Sequence, residues 1–172
     1  MFSVFPKRYS FETSLAPKKL VRKLQGDLVE YRPTMNILST SRFMKKYKFE
    51  SIYYGRHDGS SFELYYHRMK KRDGGSTGFY GKIIKTENGT LVKGWFRKPV
   101  YAYVFAVCFA LACLICAVGA YAAETLTGAY VFLGLGLAGF LLLLWDNNET
   151  YLRAYLDELK DSGKEQKAEP NR

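Results

Sequence analysis

Hydrophobic and polar positions change their spacing several times along this chain, and each change marks a different kind of element. From Tyr9 to Leu15 apolar and polar residues alternate, which predicts a short strand. Leu20, Val21, Leu24 and Leu28 then share one helical face, with Lys18, Lys19, Arg22 and Lys23 around the other. That spacing predicts an amphipathic helix of about three turns, with Ser14 as its cap and Pro17 in its first turn. Residues 32–48 lack a clean period and contain Pro33, so they read mostly as loop, with a helical turn at Phe43–Tyr47.

Aromatic and β-branched residues dominate from Phe49 onward. Phe49–Tyr54 and Phe62–Met69, separated by Gly55–Ser60, predict a hairpin. In its second strand Phe62, Leu64 and Tyr66 point one way, and Glu63, Tyr65 and His67 the other. Asn88-Gly89, between Gly78–Glu87 and Thr90–Arg97, is a signature of a two-residue turn because both residues accept positive φ. With Glu87 facing Thr90, Ile83 falls opposite Gly94 and Gly81 opposite Phe96, so each glycine leaves room for a large partner.

The alternation then stops. Pro99–Ala123 and Thr125–Trp145, 25 and 21 residues long, carry no charge, and Glu124 alone divides them. A bilayer core about 30 Å thick needs roughly 20 apolar residues as helix, so two membrane spans in a hairpin are expected. A chain of 172 residues could hardly cover both as buried core helices. Beyond them, Asp146, Asn147 and Asn148 offer helix caps. Tyr151, Leu152, Tyr155, Leu156 and Leu159 mark one face of a helix over Glu149–Lys160, and the polar tail from Ser162 is expected to be disordered.

The predicted class is therefore a small α+β domain, antiparallel sheet plus helix, over residues 1–98. A two-span transmembrane helical hairpin follows over 99–145, then a C-terminal amphipathic helix and tail over 146–172. This order of elements loosely resembles a helix-grip or PH-like domain with a hairpin spliced in before its last helix.

Charge adds an orientation. Residues 1–98 hold 21 basic and 8 acidic side chains, residues 146–172 hold 5 and 7, and the segment joining the spans has neither Lys nor Arg. The positive-inside bias then places both termini in the cytoplasm, at an inner or plasma membrane. Lys93, Arg97 and Lys98 crowd the entrance to the first span and are expected to meet lipid headgroups, at about 1 kcal/mol for each residue near an anionic surface. Within the spans, Cys108, Ala112, Cys116 and Ala120 recur every four residues, a small-residue stripe expected to pack on Gly134 and Ala138 or on a second copy of the chain.

Candidate chemistry is sparse. Gly134-Leu-Gly136-Leu-Ala-Gly139 matches a dinucleotide fingerprint as a string, but no strand precedes it and no acidic residue follows at the required distance. Of the three cysteines only Cys108 and Cys116 share a face, and no His or carboxylate lies nearby, so no metal site is assigned. His57 beside Asp58 and His67 near Glu63 show no catalytic pattern, and no cofactor is implied. The 28 aromatic residues interleave with basic groups and could stack bases, but no nucleic-acid-binding motif accompanies them, so lipid headgroups are favoured over nucleic acid. The expected function is a non-enzymatic, membrane-anchored module that binds a protein or lipid-like partner at the inner leaflet. The alternatives are an accessory subunit of a membrane complex, docking through its hairpin, and an enzyme on lipid-linked substrates using His57 or His67.

Overall fold

The computed structural model describes residues 5–33, 37–70, 76–87, 89–146 and 148–168. Its elements run β1 (Lys7–Thr13), α1 (Pro17–Asp27), β2 (Val29–Glu30), α2 (Ile37–Lys46), β3 (Ile52–His57), β4 (Ser61–His67), β5 (Gly78–Thr86), β6 (Gly89–Arg97), α3 (Val100–Ala122), α4 (Leu126–Leu144) and α5 (Asn148–Ala168). The strands form one sheet in the order β1-β6-β5-β4-β3-β2. The sheet is mixed rather than wholly antiparallel, because β2 runs parallel to β3. The intervening α2 carries the chain back to the end of the sheet from which β2 started, and such a crossover makes neighbouring strands parallel.

That helix lies where a loop is expected from the sequence. Its apolar contact is narrow: Phe43 and Met44 pack on Tyr54 and Tyr65, and the Phe43 ring stacks on Tyr31 with centroids 3.9 Å apart. Over the helix itself apolar and polar positions are segregated as sharply as in α1, so the period is present in the sequence, and the tertiary contacts hold the helix in place. The N-cap of α1 is Ala16 rather than Ser14, and Pro17 is its first residue.

On the opposite face the main core joins β-strand residues Phe11, Phe62, Leu64, Phe79, Val92 and Phe96 to Leu20 and Leu24 of α1 and to Leu152, Tyr155, Leu156 and Leu159 of α5. Helix α5 is tied further by Tyr155 Oη donating to Asp27 at 3.0 Å and Tyr53 Oη donating to the Tyr151 carbonyl at 3.3 Å. Residues on both sides of the apolar hairpin therefore share one core, and the domain ends and begins on the same side of that hairpin. The helix also continues past Ser162 to Ala168, where a disordered tail is expected from composition.

The two hairpins of the sheet differ in detail from the sequence reading. Strand β3 extends to His57, with Gly55 paired to Leu64 inside it, and a Cβ there would collide with the Glu63 carbonyl. In β5–β6, Thr86 faces Gly89, so Gly81 lies opposite Gly94, Phe79 opposite Phe96 and Ile83 opposite Val92. The expected register is thus displaced by two residues; Asn88 itself lies outside the described residues. The glycines do make room for rings on neighbouring strands: a Cβ at Gly81 would meet the ring of Phe62, its direct partner on β4, and one at Gly94 the ring of Phe79, diagonally across on β5. Gly89 has φ +146°, and any Cβ there would run into the Thr13 carbonyl of β1.

Helices α3 and α4 are long and apolar enough to cross a membrane. They pack on each other and leave large side chains outward, with Phe105 68%, Ile115 72% and Leu137 65% exposed. Soluble domains rarely expose such continuous apolar surface. The contact runs through Ala106, Cys113 and Ala117 of α3 against Ala129, Gly136 and Gly139 of α4; a Cβ on Gly136 would approach that of Cys113 to 2.9 Å. The stripe expected from the sequence lies elsewhere: Cys108, Ala112, Cys116, Gly134 and Ala138 are exposed, and Ala120 alone of that set approaches the partner helix, at Gly128. The rotation arises because the turn, not the residue spacing, sets how the helices face. There Glu124 takes φ +57°, Thr125 N donates to the Ala120 carbonyl and Glu124 N to the Tyr121 carbonyl, a Schellman closure with a glutamate where glycine is usual.

Leu156→Ala should cost about 2–5 kcal/mol of domain stability through the cavity it leaves, whereas Lys160→Ala on the exposed side should stay within about 0.5 kcal/mol. Denaturant unfolding of the full chain in mild detergent measures both. Equal stability for the two variants would mean that α5 is not part of the core.

Candidate functional site

The hairpin interrupts the domain between β6 and α5, and its two ends meet in a buried polar cluster. Lys98 Nζ lies 3.6 Å from Asp146 Oδ2, with side chains only 4% and 7% exposed. Asp146 also accepts hydrogen bonds from the backbone N–H of Asn148, at 2.7 Å, and of Thr77. Asn148 Nδ2 in turn donates to the Tyr66 carbonyl at 3.0 Å. One carboxylate thus joins the end of β6, the approach to β5 and the start of α5. Lys98 is therefore turned inward at the base of the hairpin, away from the headgroup position expected for it, because Asp146 offers a charge partner in a site water cannot reach.

Next to Asn148 in the first turn of α5, Glu149 receives Lys7 Nζ at 2.8 Å and the Arg153 guanidinium at 3.0 and 2.9 Å. Burial pushes the Glu149 carboxyl upward, but these hydrogen bonds and charges outweigh it and hold its pKa below the usual glutamate value. Arg153 lies over the rings of Tyr9 and Phe96. Burial, then the hydrogen bond to Asp157, raises the Tyr9 phenol to about 12.

Against this root, on the α2 side of the sheet, opens a cleft of about 330 Å³. Its floor is Glu63 and Tyr65 of β4, Tyr80 of β5 and Arg97 of β6, its rim is Arg32 and Pro33, and its far wall is Pro99, Val100, Tyr101 and Val104 at the start of α3. The Tyr65 and Tyr80 hydroxyls are 2.7 Å apart, and Tyr65 also donates to Glu63 at 3.4 Å. Burial raises both phenols above the ordinary tyrosine range, so they stay neutral. Glu63 pairs with Arg32 at 3.5 Å, while the Arg97 guanidinium stacks 4.1 Å over the Tyr80 ring.

Beyond the cleft, no described element packs over the same face of the sheet at β1, β6 and β5, where Arg8, Lys82, Lys93 and Trp95 are exposed. Cross-strand pairing sets Arg8 beside Trp95 and Trp95 beside Tyr80, then Ser10 beside Lys93 and Lys93 beside Lys82. The Arg8 guanidinium lies 4.6 Å over the Trp95 ring, and Trp95 is 41% exposed. Lys82 and Lys93 face each other directly and are exposed, and neither forms an ion pair among the described residues. Like charges directly opposite destabilise a sheet, so this face carries positive charge that the fold does not neutralise. Lys93 and Arg97, singled out by position along the chain, lie on it together.

The remaining candidates fall away from this region. Asp58 does not assist His57: its carboxylate accepts from the Ser61 and Ser60 hydroxyls and backbone N–H groups, which close the β3–β4 turn and hold its pKa far below the usual value. His67 is buried with Nε2 3.1 Å from the Tyr47 carbonyl, and it does not line the cleft. Gly136 and Gly139 of the nucleotide-like string serve helix packing. No group of metal-ligating side chains occurs among the described residues. The chain matches no family model, no curated protein and no solved structure.

Asp146→Ala should destabilise the domain by about 3–5 kcal/mol, because it leaves Lys98 buried without its partner. The test is denaturant unfolding in detergent, and Asp146→Ala behaving like an exposed-site variant would refute it. Glu149 has a folded-state pKa below its unfolded one, so its contribution is present above the unfolded value near 4.5 and is lost as pH falls through the lower folded value. Unfolding midpoints measured from pH 6 downward, at roughly one-unit steps, should fall in acid for the native chain and fall less for Glu149→Gln.

Proposed function

We propose that the chain is a membrane-anchored, non-enzymatic binding module. Helices α3 and α4 cross the bilayer, the domain lies on the cytoplasmic side, and the uncovered face of β1, β6 and β5 rests on anionic headgroups. The observation that carries this reading is the continuity of that cationic face with the apolar hairpin. Arg97 lies on the face and lines the same cleft as Val100 and Val104, so the un-neutralised charge of Arg8, Lys82, Lys93 and Arg97 begins where the apolar surface ends. An anionic leaflet attracts such residues by about 1 kcal/mol each, within roughly a Debye length of 8–10 Å. Trp95 adds an aromatic ring of the kind favoured at membrane interfaces.

Trp95 also supplies the test, since Trp145 is the only other tryptophan and can be replaced by phenylalanine. In lipid nanodiscs, Trp95 fluorescence of the Trp145→Phe chain should be quenched by headgroup-labelled nitroxide lipid when anionic lipid is present. Quenching should weaken in high salt and in the Lys82→Glu, Lys93→Glu double variant. An unquenched Trp95 in every lipid composition would overturn the proposed placement.

A further inference from the structure

The cleft at the root of the hairpin combines features that point to an occupant. Its ionic groups are two guanidiniums and one carboxylate, and Glu63 is engaged by Arg32 and Tyr65. Arg97 is left with no ion pair among the described residues. Stacking on Tyr80 fixes the plane of its guanidinium without using its N–H groups, and a planar fork held in this way suits two parallel hydrogen bonds to a phosphoryl or carboxylate oxygen pair. Opposite this cation the wall is largely apolar: Pro99, Val100, Tyr101 and Val104 form the start of α3. The cleft is therefore cationic on the sheet side and greasy on the hairpin side. Its volume of about 330 Å³ sits at the small end of ligand pockets, enough for a headgroup and the first carbons of a chain.

We infer that this cleft binds the singly anionic phosphoryl headgroup of a membrane amphiphile, with Arg97 taking the phosphoryl oxygens and the acyl portion running along Val100 and Val104. The inference rests on the membrane-anchored reading and assigns its ligand class. Charge matching selects the head, since the cleft's one uncompensated positive charge meets one negative charge. The α3 wall selects an amphiphile over a free phosphate ester, because a small polar anion would leave Val100 and Val104 unused. Arg97 is the recognition residue; Tyr80 is a positioning residue acting through it.

The full chain in mild detergent, examined by native mass spectrometry, tests this with three probes: short-chain phosphatidylglycerol, short-chain phosphatidylcholine and glycerol 3-phosphate. One phosphatidylglycerol per chain should bind, about tenfold more tightly than phosphatidylcholine. Arg97→Gln should weaken phosphatidylglycerol about tenfold and remove the preference over phosphatidylcholine. Val104→Trp, which fills the apolar wall, should weaken both lipids while keeping the head preference, and it decides the matter if Arg97→Gln fails to fold. Equal binding of the two lipids, or wild-type binding by both variants, would overturn the assignment. Glycerol 3-phosphate binding as tightly as the lipid would overturn the amphiphile. Trp95 quenching is read separately, so its survival with the cleft assignment lost would leave the anchored module standing, and its loss with lipid still bound in the cleft would do the reverse.

Discussion

The Lys98–Asp146 pair closes a chain that has been opened in its middle. Forty-seven residues, 99–145, stand between Lys98 and Asp146, and the flanking strand β6 and helix α5 belong to one core. Burying a lysine and an aspartate together is costly unless each finds its partner and the remaining lone pairs are used. Here the aspartate takes the Thr77 and Asn148 amides as well, and Asn148 reaches back to the Tyr66 carbonyl. Neither charge can leave without stranding the other, so the two feet of the hairpin stay at a fixed separation. Helix α5 is thereby launched across the sheet at the angle that brings Leu152, Leu156 and Leu159 onto Phe79 and Phe96.

From that constraint follows the asymmetry of the domain. The face that receives α1 and α5 is closed, dry and aromatic. The other face has a single short helix, α2, and it covers the β4-β3-β2 end alone. What is left open is a ladder of cations and rings ending at the hairpin root. A sheet stabilised only for its own sake would not set Lys82 against Lys93, and the positive charge is tolerated because solvent, or an anionic surface, screens it. The cleft lies where this ladder meets α3, and its mixed lining follows from that junction: polar groups from the strands, apolar ones from the first turns of the helix.

Periodicity made several elements legible in advance, and each of them is local. The apolar hairpin was visible in two uncharged runs, and α5 in its repeating Tyr and Leu positions. Strands β1, β4 and β5–β6 were visible in alternation around turn residues. Where the sequence reading failed, the missing information was mostly tertiary. Residues 37–46 are the exception: their apolar positions are segregated as sharply as those of α1, and Phe43 and Met44 then find Tyr31, Tyr54 and Tyr65. Gly81 and Gly94 face one another, and the rings that need their space are not those a two-residue turn implies: Phe62 pairs with Gly81 from β4, and Phe79 reaches Gly94 diagonally from β5. The choice of stripe on α3 depended on the turn at Glu124, whose left-handed backbone no spacing rule announces.

The candidate site divides in the same way. Residue order alone placed Lys93, Arg97 and Lys98 beside the hairpin. It could not separate the three cations. Lys98 is drawn inward by a carboxylate 48 positions away, Arg97 is held on Tyr80, and Lys93 is left facing Lys82. The cleft gathers Arg32, Glu63, Tyr80, Arg97 and Val104 from five separate stretches of chain, so only the folded sheet, with the hairpin rooted against it, brings them within reach of one ligand. Hydrophobic runs are a property of neighbours along the chain; a binding cleft is a property of neighbours in space.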